Sequence, residues 1–332
     1  MRVLVVLAAL AALTVLLLPT SSATPAAAPP QSELAFVRGE GSATEIFVVR
    51  ADRSRPRRLT RNRFSDFSPI WSPDGRQILF VSNRDGDDEL YVMDANGRNV
   101  RQLTRNRRQD LTPQWSPDGS LIAFASDRKR PGQPEIWVMH ADGSGARRLL
   151  ATVDHPTWQD LQYSPAWSPD GQWLIFSMTA AESNPELYRV AVDGSGLTRL
   201  TRTAGGSEVY GDDTMPDWSA DGKAVIFVSN REQRSSDIWT MRPDGSGQRP
   251  LMRRAKTDDW NPRLSPDGRT IAFTEHVIGT GARSVWVARR DGTGARRLID
   301  GAEPDWRPSP TAAASTAARD EIESLVRKGD DS

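Results

Sequence analysis

Residues 71–75 read Trp-Ser-Pro-Asp-Gly, a pentapeptide that ends in the turn residues of a tight β-hairpin. The pentapeptide, or a form of it with one residue changed, starts again at positions 115, 167, 218 and 264. Trp306 begins a sixth copy that lacks the turn. Successive copies are 42 to 52 residues apart, and a period of this length is typical of propellers and solenoids. The repeat is therefore the unit of the fold.

Each unit carries the same order of strand and turn signals. Proline stands two positions before every copy, and phenylalanine stands nine positions after the first five copies. An acidic residue or serine, an aliphatic residue and an aromatic residue come next, followed by an Asn-Gly or Asp-Gly turn and a last leucine-bearing stretch. Four short antiparallel strands per unit make one propeller blade. We expect the periodic aromatic side chains to pack between blades.

The two incomplete ends of the repeat complement each other. The sixth copy supplies a first strand around Trp306, and the region from Phe36 to Leu59 supplies the other three strands. The C-terminal strand is therefore predicted to pair with the N-terminal three, because an open blade would leave unpaired edges. The prediction is an all-β, six-bladed propeller of four-stranded antiparallel blades over residues 32–308.

The repeated pattern resembles the TolB-type (WD-like) β-propeller repeat, and the resemblance covers residues 32–308. It implies the six-bladed fold, but not one function, because such repeats occur in periplasmic TolB, in peptidase gates and in oligogalacturonate lyases. In TolB the resemblance implies docking to the peptidoglycan-associated lipoprotein. The linker runs into strands by Phe36, so the chain is expected to lack the N-terminal α/β domain of TolB.

The first residues predict export. Arg2 precedes an apolar run of 16 residues, and Ser21-Ser22-Ala23 offers a small-residue cleavage site, so residues 1–23 are predicted to be a signal peptide. Residues 24–31 form a Pro/Ala-rich linker, and residues 309–332 form a flexible tail. Without cysteine the chain cannot be a lipoprotein. We expect a periplasmic or secreted monomer that does not span the membrane after cleavage.

Composition narrows the chemistry. The 43 basic residues equal the 43 acidic ones, which argues against a nucleic-acid partner. The absence of cysteine excludes thiol nucleophiles, and only His140, His155 and His276 could serve a histidine-based site. No Gly-x-Ser-x-Gly elbow occurs in the sequence. No catalytic residue is predicted, and the chain is expected not to be an enzyme.

Strand direction places the candidate site. The loops before each first strand, and those between the second and third strands, share one face, which we call the start face. The Pro-Asp-Gly turns share the opposite face, the turn face. Residues just ahead of the repeated motif should surround the channel mouth on the start face. These mouth residues are Asp66, Asp110, Gln162, Asp213, Asp259 and Glu303.

Two interpretations of the mouth residues stay open. Grouped carboxylates attract a cation or a basic segment of a partner, and oxygen ligands suit Ca²⁺ or Mg²⁺. Alternatively, each aspartate caps its own loop through backbone N–H groups. No cofactor is otherwise expected. Asp85-Gly86-Asp87-Asp88 on the same face reads as a solvated turn, because it lacks the spacing of a calcium loop.

The leading hypothesis is an exported, non-catalytic binding scaffold that presents the channel mouth to an envelope protein or peptide. One alternative is a metal-dependent polysaccharide lyase or hydrolase that uses carboxylates on the start face. Another is a sensor module that binds a small ligand or cation in the channel. The sequence does not identify the partner.

Overall fold

The computed structural model describes residues 33–40, 43–52, 55–150, 161–179, 184–203, 211–232 and 235–308. The predicted signal peptide, linker and tail lie outside these ranges, as does His155. The described residues contain 24 strands and no helix, so none of them forms a helix long and apolar enough to cross a membrane.

The strands form six sheets of four. The first sheet contains β1 (Glu33–Glu40), β2 (Ala43–Arg50), β3 (Arg57–Arg58) and β24 (Ala302–Trp306). The second contains β4 (Asp66–Trp71), β5 (Gln77–Ser82), β6 (Glu89–Asp94) and β7 (Arg101–Gln102). The third contains β8 (Asp110–Trp115), β9 (Leu121–Ser126), β10 (Glu135–His140) and β11 (Arg147–Arg148).

The fourth sheet contains β12 (Leu161–Trp167), β13 (Trp173–Thr179), β14 (Glu186–Ala191) and β15 (Thr198–Arg199). The fifth contains β16 (Asp213–Trp218), β17 (Val225–Ser229), β18 (Asp237–Met241) and β19 (Arg249–Pro250). The sixth contains β20 (Thr257–Leu264), β21 (Thr270–Val277), β22 (Arg283–Arg289) and β23 (Arg296–Asp300).

The first strand of each repeat lies innermost. The innermost strands contact one another in the order β4, β8, β12, β16, β20 and β24, and β24 contacts β4 in turn. β24 pairs antiparallel with β1, with Leu34 opposite Trp306. The predicted fold class, an all-β propeller of six four-stranded antiparallel blades, is confirmed.

The repeated pentapeptide makes the turn between the first and second strands. The Ser72 hydroxyl donates to Asp74 Oδ1 (2.6 Å) and accepts from the Gln77 N–H (2.9 Å). The Gly75 N–H donates to the Ser72 carbonyl (2.8 Å), at a φ of +66° that favours glycine. The same serine–aspartate contact recurs at Ser116, Ser168, Ser219 and Ser265. These polar contacts explain why the turn residues repeat with the blades.

The periodic aromatic residues pack as predicted. Trp71 contacts the apolar side chains of β2 in the preceding blade, and it is 3% exposed. The phenylalanine of each second strand is fully buried, and Phe80 stacks on Tyr91 with ring centroids 5.8 Å apart. The core therefore consists of apolar layers between neighbouring blades.

Candidate functional site

The mouth residues divide into two groups by burial. Asp66, Asp110, Asp213 and Asp259 lie near the beginning of their innermost strands, as predicted, but their side chains are 0% exposed. Only Glu303 among the six mouth residues lines the central cavity. The predicted role of these residues in binding a partner or Ca²⁺ or Mg²⁺ stays a prediction.

Each buried aspartate pairs with an arginine of the same chain. Asp66 Oδ1 lies 2.8 Å from Arg84 Nη2, and Asp110 Oδ2 lies 2.7 Å from Arg128 Nη2. Asp213 pairs with Arg231 in the same way. Asp259 pairs with Arg254 at 3.4 Å. In three of the four pairs the arginine follows its aspartate by 18 residues, a spacing visible in the sequence that our sequence analysis did not use.

The paired arginines also cover aromatic rings. The guanidinium of Arg128 lies 5.0 Å from the ring centroid of Phe124 and 4.7 Å from that of Trp137. Arg84, Arg231 and Arg254 lie over the equivalent rings of their blades. Each pair therefore joins an innermost strand to the second and third strands, and its contacts serve the stability of the blade.

A second buried acid from the preceding blade approaches these pairs. Asn106 Nδ2 donates to both Glu89 Oε2 (3.2 Å) and Asp110 Oδ2 (2.9 Å). Burial and the nearby Asp110 raise the pKa of Glu89 to about 8, although hydrogen bonds from Thr104 and Asn106 oppose the rise. Arg128 is the arginine paired at this junction, because Gln102 occupies the position where Arg58 or Arg199 pairs with the corresponding glutamate.

The loops that lead into β4 and β8 carry exposed arginines. Asn62 donates from Nδ2 to Asp66 (2.6 Å) and from its N–H to Glu45 (2.8 Å), and Asn106 makes the same pair of contacts in the next blade. The asparagine therefore fixes each loop to buried carboxylates, while the flanking arginines are exposed. With the neighbouring β9–β10 loop they form a basic crescent on the start face: Arg61, Arg63, Arg105, Arg107, Arg108, Lys129 and Arg130.

The central cavity is narrow. Its volume is about 50 Å³, which holds a few water molecules rather than an organic ligand. Six non-glycine residues with φ near +50° line it, one from each innermost strand: Ser68, Thr112, Ser164, Met215, Asn261 and Glu303. This conformation directs their N–H groups toward neighbouring strands, and Ser68 N–H donates to Glu303 Oε2 (2.6 Å).

Charged side chains collect on one side of the channel. Arg263 Nη1 lies 3.7 Å from Asp217 Oδ1, and Arg263 Nε lies 3.8 Å from Asp305 Oδ1. Asp305 also accepts the Trp71 N–H (2.8 Å), and Asp217 accepts the Leu264 N–H (2.8 Å). Burial raises the pKa of Asp305 to about 7 and raises the pKa of Asp217, although Arg263 opposes both shifts.

Two other groups could bind a metal. Asp85, Asp87 and Glu89 each bring one carboxylate oxygen within 4.8 Å of the other two, at the turn predicted to be solvated. His276 Nδ1 lies 3.3 Å from Asp258 Oδ2, and the imidazole stacks on Trp260 with centroids 4.8 Å apart. Among the described residues, the three-acid group is the one set of this kind that could surround an ion.

The fold and the motif define a class, the six-bladed β-propeller built from Trp-Ser-Pro-Asp-Gly repeats. The sequence profile described as "TolB beta propeller domain" matches residues 20–158 and 156–316, so the chain belongs to this family.

Individual relatives cover parts of the chain. An uncharacterised protein of Agrobacterium fabrum is 29% identical over 46% of this chain and 64% of its own length. Tol-Pal system protein TolB of Anaeromyxobacter dehalogenans is 35% identical over 29% of this chain and 20% of its own length. The chain thus spans less than two thirds of these curated relatives.

A solved structure agrees with the fold. The crystal structure of TolB from Acinetobacter baumannii superposes with a TM-score of 0.70 at 21% identity, and it covers 84% of this chain and 67% of the solved one. At this identity the likeness establishes the propeller fold and no function.

Proposed function

We propose that the chain is a non-catalytic binding scaffold of the cell envelope, and that its start face captures an acidic segment of a partner protein. The observation that carries this proposal is the basic crescent, seven exposed cationic side chains on loops at one end of the propeller. Membership of the TolB beta propeller family supports a binding role, since a curated relative is a Tol-Pal system protein.

The charge of this face favours an acidic partner. The aspartates expected to make the mouth acidic are buried against arginines, so they contribute little field to solvent. In the crescent and the β5–β6 loop between its parts, Asp85 is the exposed acid among the described residues. Burial also raises the pKa of Asp87 and of Asp88. Exposed arginines bind carboxylates through paired N–H groups, which suits glutamate or aspartate side chains.

The crescent is also held rigidly, which lowers the entropy lost on binding. Ser65 N–H donates to Asn83 Oδ1 (2.9 Å), which fixes the first arginine loop to the β5–β6 loop. Gln109 N–H donates to Asp127 Oδ1 (2.9 Å), which fixes the second arginine loop to the β9–β10 loop. The arginines are therefore presented at fixed positions along the rim.

The test is a crosslinking pull-down from envelope extract with the purified chain and two five-site variants. One variant replaces crescent arginines with glutamine: R61Q, R63Q, R105Q, R107Q and R108Q. The control makes the same charge change at exposed arginines on the turn face: R50Q, R57Q, R76Q, R98Q and R242Q. We expect one protein to be captured by the wild type and the control, and lost by the crescent variant.

Three other results contradict the proposal in different ways. Equal loss from both variants means that net charge alone, and not the crescent, drives capture. Equal capture by all three proteins keeps the scaffold and removes the crescent from its interface. If no protein is captured specifically by the wild type, the scaffold function itself fails.

A further inference from the structure

The sixth sheet breaks the rule that opens each repeat. Tryptophan begins the motif in five copies, whereas Leu264 occupies this position in the sheet of β20 to β23. Trp71, Trp115, Trp167 and Trp306 are between 3% and 8% exposed, because each indole fills the junction with the preceding blade. A leucine is much smaller than an indole, so this junction receives less side-chain volume.

A groove lies at this junction. It has a volume of about 740 Å³, and it runs between the sheet of β16 to β19 and the sheet of β20 to β23 on the turn face. Its floor contains Ile226, Leu251 and Leu264, and both leucines are partly exposed. The groove therefore offers an apolar surface where the other repeats place an aromatic ring.

The walls of the groove are strongly basic. Arg249, Arg269, Arg289 and Arg290 line it, together with one acid, Asp291. Asp291 Oδ1 accepts the Thr293 N–H (2.9 Å) and its hydroxyl (2.7 Å), and these hydrogen bonds lower the pKa of Asp291. Arg290 faces Asp221 across the junction at 3.5 Å. For Arg249 and Arg269, no acidic partner lies within salt-bridge distance among the described residues.

We propose that this groove binds a small anionic aromatic molecule. The ring would lie against Leu251 and Leu264, where an indole lies in the sister repeats, and a carboxylate or sulfonate would pair with Arg249 and Arg269. The apolar floor selects a flat ring, and the arginines select a negative charge. The site is at the opposite end of the propeller from the basic crescent, so it stands independently of the proposed partner binding.

The probe for the test is 8-anilino-1-naphthalenesulfonate, an anionic aromatic fluorophore, titrated against the full-length chain. We expect one saturable site in the wild type. The variant L264W restores the residue of the sister repeats, and it should fold normally while weakening binding by about tenfold or more. N-phenyl-1-naphthylamine, the uncharged analogue, should bind the wild type at least about tenfold more weakly than the sulfonate.

A second pair of variants tests the arginines without changing the floor. R249Q/R269Q should weaken the sulfonate by about tenfold. The matched control is R57Q/R76Q, because Arg57 and Arg76 occupy the same two repeat positions at the junction that Trp71 fills. This control should bind the probe like the wild type.

Several results would overturn the proposal. They are the absence of a saturable site in the wild type, undiminished binding by a folded L264W, equal weakening by the two double arginine variants, or equal affinity for the charged and uncharged probes. If L264W does not fold, R249Q/R269Q against R57Q/R76Q still decides the question. None of these results bears on the capture of a partner by the start face.

Discussion

The guanidinium of Arg263 on β20 crosses the channel to the side-chain amide of Gln114 on β8. With the amide oxygen turned toward the guanidinium, it accepts from Nη1 at 2.9 Å and from Nη2 at 2.5 Å. β8 and β20 are three blades apart in a ring of six, so the two residues face each other across the channel. The contact closes the channel at this level, and we therefore place partner binding on the rim rather than through the pore.

Arg263 also neutralises two carboxylates, which gives a testable coupling. R263M should destabilise the chain by about 2 kcal/mol, because Asp217 and Asp305 would keep their burial and lose their counter-charge. R263M/D305N should recover part of this loss, since asparagine can still accept the Trp71 N–H. The measurement is urea unfolding of the two single variants and the double variant. Strictly additive effects would show that the two side chains are not coupled.

Glu89 predicts a dependence of stability on pH. Its pKa is about 8 in the folded chain, above the ordinary value of 4.5, so its stabilising contribution is complete below pH 4.5 and is lost as the pH rises through 8. E89Q cannot ionise, and its melting temperature should therefore rise relative to the wild type between pH 5 and pH 9, by a few degrees.

The control for this prediction is E186Q. Burial raises the pKa of Glu186, but hydrogen bonds from Thr201, Thr203 and Arg199 outweigh it, and the net shift is downward. The stabilising contribution of Glu186 is therefore present above pH 4.5 and is lost only as the pH falls through its lowered folded value. E186Q should show a constant deficit from pH 6 to pH 9. An E89Q curve parallel to the wild type would refute the assignment of a retained proton.

The buried aspartate–arginine pairs predict an asymmetry between neighbouring basic residues. R128M should cost about 3 kcal/mol, because it leaves Asp110 buried without its ion pair and removes the cation from Phe124 and Trp137. R130M, on the exposed loop that follows, should change the free energy of unfolding by less than about 0.5 kcal/mol. Chemical denaturation of both variants measures the difference. Similar costs would mean that the pair contributes no more than a surface arginine.

The fold followed from the sequence because its determinants recur in every blade. The turn serine and aspartate, the phenylalanine of the second strand and the aromatic residue of the third all act within one repeat or against its neighbour. Local signals therefore identified the blade, and the period identified the ring. Leu264 was visible as an exception to the pattern, but only the structure shows the groove beside it.

The site was less predictable, because charge in this chain is distributed by pairing. Strand direction placed Asp66 on the correct face, yet burial of its side chain depends on Arg84, which arrives 18 residues later. The channel contacts of Arg263 involve three other innermost strands and no repeated spacing. Such contacts between non-repeating positions cannot be read from a single sequence. The constant interval between aspartate and arginine was the one signal available.

Two glycines with positive φ predict how tightly the blades are joined. Gly143, at φ +94°, lies in the turn between β10 and β11, and a Cβ there would be 2.6 Å from the Leu103 carbonyl oxygen of the preceding blade. Gly132, at φ +71°, lies in the β9–β10 loop with no atom within 4 Å of the same position. G132A should therefore cost only the backbone term of about 1 kcal/mol, whereas G143A should cost about 3 kcal/mol, because it also pushes two blades apart. Thermal and urea unfolding of the two variants make the comparison, since both replace glycine by alanine at a left-handed backbone position. Equal losses would show that the junction yields to a methyl group without resistance, and that the blades are less closely packed than the Gly143–Leu103 approach implies.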